Sequence, residues 1–180
     1  MSNLSTTLWS HIRTVQDFPK PGICFFDLTP LFMSNLEPLT DALIASIPAE
    51  KLAEVDSFVA VEARGFVLAS LLAQRLGKGL LLVRKAGKLP PPVVGVGYSL
   101  EYGLDRLEMA ANIASQKVII VDDVLATGGT LKAVKQLVKK CHHDVLGASI
   151  FLDLPDLHAD LGLEIWSVLD DKSKPESVAA

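Results

Sequence analysis

The feature that most constrains the fold is a strand, helix, strand pattern that occurs twice along the chain. The strands are short aliphatic runs, which are typical of strands buried on both faces of a sheet. The predicted elements are a strand Ser57–Glu62, a helix Phe66–Leu76, a strand Leu80–Lys85, a strand Lys117–Asp123, a helix Thr130–Cys141 and strands Val145–Leu152 and Glu164–Leu169. Such units build a mostly parallel central sheet flanked by helices, so the sequence predicts an α/β fold.

Signals elsewhere in the chain are weaker. Leu4, Leu8, Ile12 and Val15 have helical spacing and predict a helix that opens the chain. Residues 18–32 contain three prolines, which exclude a regular helix across them, so we expect an irregular segment packed on the domain. The remaining predictions are a second helix through Leu39 and Ile47, a Gly/Pro-rich loop at 86–97, and a pair of strands at Tyr98–Glu101 and Arg106–Met109.

Composition limits what the protein can bind. The net charge is −4 and the pI is near 5.5, so we expect no broad basic surface for nucleic acid or an anionic membrane. No apolar run approaches the ~20 residues that span a bilayer. Met1–Arg13 lacks the pattern of a secretory signal, and we therefore expect a cytoplasmic protein. Cys24 and Cys141 have neither metal nor redox spacing and are interpreted as free thiols.

The segment Val118–Thr130, VIIVDDVLATGGT, carries the strongest chemical signal. A buried strand delivers two adjacent carboxylates, Asp122 and Asp123, to the edge of the sheet. Gly128 and Gly129 then precede a helix, and glycine amides at a helix N-terminus favour an anion. The carboxylates would repel a phosphate, but they can accept hydrogen bonds from sugar hydroxyls or bind a cation. The whole string therefore indicates a site for a phosphorylated sugar, whereas the glycines alone would equally suit an ordinary helix start.

This string resembles the motif with which type I phosphoribosyltransferases bind 5-phosphoribosyl-1-pyrophosphate (PRPP), and most of all the version in the enzymes that act on adenine. The resemblance implies that Asp122 and Asp123 bind the ribose 2′- and 3′-hydroxyls. The residues implied at the 5′-phosphate are Ala126, Thr127, Gly128, Gly129 and Thr130. Enzymes for hypoxanthine and guanine typically carry an acidic base at the position of Ala126, and alanine cannot serve as one.

A second resemblance lies in 84–103, RKAGKLPPPVVGVGYSLEYG. Arg84, Lys85 and Lys88 concentrate positive charge after a strand, which suits a mobile lid over an anion, although cations alone also fit a solvated turn. The strings RKAGKLP and YSLEYG resemble the flexible loop of the adenine enzymes. That likeness implies the three cations at pyrophosphate, Glu101 as a general acid or base near the adenine imidazole edge, and Tyr102 in ordering the closed loop. Pro91 and Pro92 follow KLP where the family usually has glycine, and they stiffen the hinge.

Two further strings complete the resemblance. Residues 62–66, EARGF, resemble a family segment that places Ala63 and Arg64 at pyrophosphate, and we expect a cis or otherwise unusual peptide between Glu62 and Ala63. Residues 18–31, FPKPGICFFDLTPL, resemble the family's N-terminal hood. The residues implied at adenine are Cys24 and Phe26 through their backbone, with Phe25 and Val124 stacking on opposite ring faces. Phe26 stands where the family commonly has arginine, so only a backbone contact can survive there.

The resemblance implies one phosphoribosyltransferase domain over 1–180, with a hood at 1–33 and a lid at 84–103. It implies transfer of the phosphoribosyl group of PRPP to adenine, giving AMP and pyrophosphate, in a homodimer. Mg²⁺ is implied because PRPP is a polyphosphate, and no protein ligand to the ion is assigned; His142 and His143 are interpreted as solvated. The alternatives are the same chemistry on another nucleobase, which Ala126 disfavours, and a PRPP sensor without catalysis, which the retained Glu101 disfavours.

Overall fold

The fold is seen in a computed structural model that describes residues 2–100 and 103–175. The helices are α1 (Ser2–Ser10), α2 (Thr29–Ser34), α3 (Leu36–Ser46), α4 (Ala49–Glu54), α5 (Gly65–Leu76) and α6 (Gly129–Lys140). The strands are β1 (Arg13–Gln16), β2 (Cys24–Asp27), β3 (Ser57–Val61), β4 (Gly79–Lys85), β5 (Val93–Leu100), β6 (Gly103–Ala110), β7 (Lys117–Leu125), β8 (Asp144–Asp153) and β9 (Ile165–Asp170). Single 3₁₀ turns lie at Pro155–Leu157 and Asp171–Ser173.

A seven-stranded sheet, in the order β5-β6-β4-β3-β7-β8-β9, forms the centre of the described chain. The strands from β4 to β9 in this order are parallel, and the hairpin of β5 and β6 joins them antiparallel at one edge. α3 and α5 pack on one face and α6 on the other. The prediction of an α/β fold with a mostly parallel sheet flanked by helices is confirmed.

The chain changes its winding direction between β3 and β7, the two central strands. From β3 it passes through α5 to β4 on one side, and from β7 it passes through α6 to β8 on the other. Ligands of open α/β sheets bind beyond the carboxyl ends of the strands at such a switch point. The residues that follow β3 and the end of β7 are therefore the ones placed for function.

The aliphatic run of β7 is explained by burial on both faces. Ile119 and Val121 pack in the core under α5, whereas Val118 and Ile120 pack in the core under α6, and all four are fully buried. Gly65 lets α5 begin directly against this strand, because a Cβ there would lie 2.8 Å from the backbone oxygen of Val121. Packing thus fixes where the end of β7 stands relative to the start of α5.

The N-terminal region is more regular than the sequence predicts. α1 ends at Ser10, so Ile12 lies beyond it and Val15 belongs to β1, which pairs antiparallel with β2. The segment 18–32 is likewise not irregular throughout, since it contains β2 and the start of α2. Pro30 lies in the first turn of α2, where a missing N–H breaks no hydrogen bond of the helix.

The predicted loop at 86–97 is wrong from residue 93 onward. β5 pairs with β6 along its whole length, from Val93 opposite Ala110 to Leu100 opposite Gly103. Of the two glycines in β5, Gly95 has a close neighbour: a Cβ there would lie 2.5 Å from the Arg106 guanidinium on the neighbouring strand, whereas one at Gly97 would lie 3.9 Å from the nearest atom. Close cross-strand contact can favour glycine inside a strand.

The prediction that His143 is solvated is wrong. His143 is buried rather than solvated, with 4% of its surface exposed, and its Nδ1 accepts a hydrogen bond from the backbone N–H of Gln116 at 3.2 Å. Burial lowers the pKa of His143, so the neutral ring is favoured.

Among the described residues, every helix is too short or too polar to cross a membrane.

Candidate active site

A small cavity lies where β7 ends and α6 begins. Its volume is about 110 Å³, several times the roughly 30 Å³ that one water occupies in the liquid. Gly128 caps α6 in a left-handed conformation with φ of +76°, which a side chain adopts only with strain. The lining residues are Asp122, Val124, Leu125, Ala126, Thr127, Gly128, Gly129, Thr130, Leu131 and Ile150. All five residues predicted at the 5′-phosphate therefore line one cavity, together with Asp122 and Val124.

The two carboxylates at the end of β7 have different surroundings. Asp122 Oδ1 accepts the backbone N–H of Asp123 at 2.9 Å, and burial beside the Asp123 carboxylate raises the pKa of Asp122. Asp123 is 7% exposed, and its Oδ2 lies 2.6 Å from Nε of Arg64. That contact is an ion pair whose N–H is not aligned for a hydrogen bond, since Oδ2 has no hydrogen-bond partner within the described residues. Because Oδ2 is itself buried, a ligand hydroxyl can reach it only if the side chains around it move.

Arg64 connects the carboxylates to the N-terminal hairpin of β1 and β2. Its Nη1 donates to the backbone oxygen of Phe26 at 2.8 Å, and its guanidinium carbon lies 4.9 Å from the centre of the Phe25 ring. With the ion pair to Asp123, one side chain therefore bridges the residues predicted at the base and at the ribose. The peptide between Glu62 and Ala63 is cis, as the sequence led us to expect.

Two of the predicted pyrophosphate cations, Arg84 and Lys85, are held by acidic side chains. Glu62 receives Arg84 Nε at 3.3 Å and the backbone N–H of Lys85 at 2.9 Å. These contacts, the Lys85 N–H first and the guanidinium after it, lower the pKa of Glu62. Nη1 of Arg84 also donates to the backbone oxygen of Lys88 at 3.3 Å. Glu62 thus orients the first part of the predicted lid.

Lys85 has a second acidic neighbour on the β5–β6 hairpin. Its Nζ lies 3.3 Å from Asp105 Oδ2, and the Tyr98 hydroxyl lies 3.5 Å from the same oxygen. The Tyr98 hydroxyl also contacts the side chain of Thr130 at the start of α6. The backbone N–H of Arg106 and then Lys85 lower the pKa of Asp105. The hairpin is therefore tied both to a predicted pyrophosphate cation and to the cavity.

The side chain of the hood residue Phe26 makes apolar contacts. Its ring meets the fully buried Trp9 edge to face, with centroids 6.2 Å apart, and packs against the core under α5. Phe25 instead meets Phe18 edge to face at 5.1 Å and lies beside Arg64. A core contact fits phenylalanine where the family commonly has arginine. Cys24 opens β2 and is exposed.

Glu101 and Tyr102 lie outside the described residues. The sequence also missed several side chains that complete the site, namely Asp105, Tyr98 and the ion-pairing role of Glu62. Asp105 contacts Lys85, Glu62 contacts Arg84 and Tyr98 contacts Thr130. The partners are about twenty or more positions apart in the chain, so no local motif could identify them.

A mostly parallel sheet with a carboxylate pair and a small cavity at its switch point defines an α/β protein whose site suits a phosphorylated sugar. A family model described as the phosphoribosyl transferase domain matches residues 34–165, and the chain belongs to this family. It is 47% identical over 161 residues to the adenine phosphoribosyltransferase of Mycolicibacterium smegmatis, with 87% of each chain covered.

Solved structures give the same relationship. The adenine phosphoribosyltransferase of Rhodothermus marinus has a TM-score of 0.84 and 36% identity, over 94% of this chain and 99% of that one. The Saccharomyces cerevisiae enzyme, solved with adenine and an imino-altritol bisphosphate, has a TM-score of 0.85 and 33% identity, over 94% of this chain and 100% of that one. The predicted resemblance to the adenine-specific enzymes is confirmed.

Proposed function

We propose that the protein transfers the 5-phosphoribosyl group of PRPP to adenine, giving AMP and pyrophosphate. The observation that carries this proposal is the pair Asp122 and Asp123 beside the cavity at the start of α6. It is supported by relatives that are adenine phosphoribosyltransferases, one of them solved with adenine and a sugar bisphosphate analogue.

In the proposed complex the 5′-phosphate enters the cavity at residues 126–130. Backbone N–H groups and the positive end of α6 would hold the anion. The ribose hydroxyls would donate to Asp122 and Asp123, and Asp122 is the one of the two that lines the cavity. The same carboxylates would favour positive charge at C1′ as the bond to pyrophosphate breaks.

The base would lie against the hood. Adenine presents a donor at N6 and an acceptor at N1, and a backbone carbonyl with a backbone N–H reads that edge without a charged group. Because the Phe26 carbonyl already accepts from Arg64, we assign the acceptor role to Cys24 and the donor role to Phe26. Phe25 and Val124 would supply stacking, which discriminates poorly between bases, so selection depends on the hydrogen bonds.

Pyrophosphate would leave toward Arg64, Arg84, Lys85 and Lys88. Arg84 would then leave Glu62 and Lys85 would leave Asp105 to bind the anion, so each cation would replace one ion pair with another. Mg²⁺ prefers oxygen ligands, which the carboxylates Asp122 and Asp123 offer. No group of three or more metal-binding side chains converges within residues 2–100 and 103–175, so substrate oxygens and water would complete its shell. Bound there, the ion would neutralise charge on the departing pyrophosphate.

Glu101 is proposed as the general acid or base at the base's imidazole edge, with Tyr102 ordering the closed lid. Glu101→Gln should lower turnover more than it weakens PRPP binding. We also propose that 1–180 acts as one domain, with the hood at 1–33 and the lid at 84–103, in the cytoplasm.

A homodimer is proposed from the sheet face that α5 leaves partly uncovered. Leu80 and Leu82 on β4 are 39% and 37% exposed and lie on the α5 side of the sheet, and Val67 on α5 is 37% exposed. A second copy of this chain would cover these side chains. Sedimentation of Leu80→Lys against the unaltered protein tests this.

The test of the activity is a coupled assay for pyrophosphate release with PRPP, Mg²⁺ and one nucleobase at a time. Turnover is expected with adenine and little with hypoxanthine, guanine or orotate. Comparable turnover with a 6-oxopurine would overturn the choice of base, and PRPP binding without turnover on any base would favour a sensor.

A further inference from the structure

A segment with no assigned role covers the turn that begins α6. Residues 154–163, here called the cover segment, follow β8, and the backbone N–H of Leu154 donates to the oxygen of Leu125 at 2.9 Å. Its Leu161 is 8% exposed and belongs to the core cluster under α6. This leucine packs directly on Gly128, because a Cβ built there would lie 2.8 Å from Leu161 Cδ2 and 3.2 Å from Cδ1.

Lys135 holds the cover segment from α6. Its Nζ donates to the backbone oxygen of Leu161 at 3.0 Å and also to that of Gly162. The backbone N–H of Gly162 donates to Asp160 Oδ1 at 2.7 Å, which closes a tight turn below the leucine. One ammonium group therefore holds two consecutive carbonyls, those of Leu161 and Gly162. These contacts fix the position of the Leu161 side chain against Gly128.

The start of the cover segment is held by a second pair. His158 Nε2 lies 2.8 Å from Asp153 Oδ1, and the two side chains are 12% and 16% exposed. Asp153 is the last residue of β8 and lies opposite Leu125, the last residue of β7. The cover segment is thus held at both ends to the two elements that bracket the cavity.

We propose that the cover segment is a clamp that sets the shape of the phosphate cup, with Leu161 and Lys135 as positioning residues for PRPP. The φ of Gly128 decides where the N–H groups of the turn point, and Leu161 is the side chain that lies against this residue. A displaced turn misdirects those donors and weakens the hold on a 5′-phosphate, whereas the base, which lies against the hood, is unaffected. This inference rests on the proposed function, since it assigns a role within the same site.

The test compares Leu161→Ala and Lys135→Met with the unaltered protein in steady-state assays and in calorimetric titrations with AMP. Both variants should raise the KM for PRPP and the Kd for AMP about tenfold, since weakening one hydrogen bond to a charged group has an effect of about this size. The KM for adenine should not change, and Lys135→Arg should restore most of the loss. Lys139→Met, on the exposed side of the same helix, is the matched control and should behave as the unaltered protein.

The outcomes separate the clamp from the proposed function. If the unaltered protein neither turns over adenine nor binds AMP, the proposed function fails. If it does both, and Lys135→Met keeps its KM for PRPP, the clamp is wrong even where Leu161→Ala does not fold. A parallel rise in the KM for adenine would also overturn it, because a general loss of structure does not spare one substrate.

Discussion

The two sides of the active site are built in different ways. The cup at residues 122–130 is one continuous piece of chain, shaped by a buried strand, a helix start and the contact between Gly128 and Leu161. The side facing the base and pyrophosphate is assembled from the hood, the turn after β3, the end of β4 and the β5–β6 hairpin, and ion pairs hold it together.

The difference separates binding from turnover. In the proposed complex a backbone cup is preorganised and loses little when phosphate enters, so we expect its geometry to act mainly on affinity for PRPP. In the proposed reaction, cations paired with carboxylates must change partners, so we expect their arrangement to act mainly on the step in which pyrophosphate leaves. Substitutions on the two sides should therefore have different kinetic signatures.

The largest effect is expected for Arg64→Met, which removes a side chain that contacts the Phe26 carbonyl, the Phe25 ring and Asp123 together. Loss of a charge-assisted contact aimed at developing charge lowers kcat by on the order of 100-fold. Arg75→Met is the matched control, because Arg75 lies in the last turn of α5 and pairs only with the exposed Asp41 and Glu37. Near-normal turnover in Arg64→Met would remove the proposed division between the two sides.

The cup should instead respond to backbone geometry. Gly128→Ala places a side chain at φ of +76° against Leu161 and should destabilise the protein by about 1–3 kcal/mol and raise the KM for PRPP. Gly129→Ala is the matched change, since its Cβ would lie 3.8 Å from the nearest atom, Thr127 Oγ1. Urea unfolding of both variants measures the difference, and equal losses would show that the left-handed turn is not what matters.

The cup was also the part that the sequence predicted best. Its residues are neighbours in the chain, so a strand, two acids and two glycines place all of them without knowledge of the fold. The burial of Ile119 and Val121 against α5, and of Val118 and Ile120 against α6, likewise follows from an aliphatic run.

The assembled side could not be predicted in the same way. Arg64 and the Phe26 carbonyl are separated by 38 residues, and Arg84 and Glu62 by 22, so these contacts exist only once the sheet has formed. The sequence does not predict the strand at 93–97, because glycine normally weakens a strand, and the contact between Gly95 and the Arg106 side chain forms only once β5 and β6 pair. The family resemblance implies which residues lie at the site, but it does not predict the ion pairs that hold Arg64, Arg84 and Lys85 to Asp123, Glu62 and Asp105.

A smaller effect, in the opposite direction, is expected for Asp105→Asn. If Asp105 competes with pyrophosphate for Lys85, its removal should tighten PRPP binding, by less than about 1 kcal/mol because the lysine is exposed. The KM for PRPP at low and high salt measures this. Glu54→Gln breaks a comparable exposed pair with Lys117 far from the site and should change nothing. Weaker binding in Asp105→Asn would mean that the pair positions Lys85 rather than competing for it.

The smallest effects concern two histidines, one shortly after α6 and one in the cover segment, and they have opposite signs. Burial lowers the pKa of His143 in the folded protein. Below about pH 6.5 the unfolded chain therefore binds a proton that the folded protein does not, and the free energy of unfolding falls as the pH drops. The Asp153 carboxylate raises the pKa of His158, so its contribution is complete below about 6.5 and is lost as the pH rises through the higher folded value. His143→Gln should therefore be least destabilising in acid, and His158→Gln most destabilising there. Urea midpoints measured on both sides of about pH 6.5 test this. The same pH trend in both variants would mean that His158 does not anchor the cover segment as an ion pair.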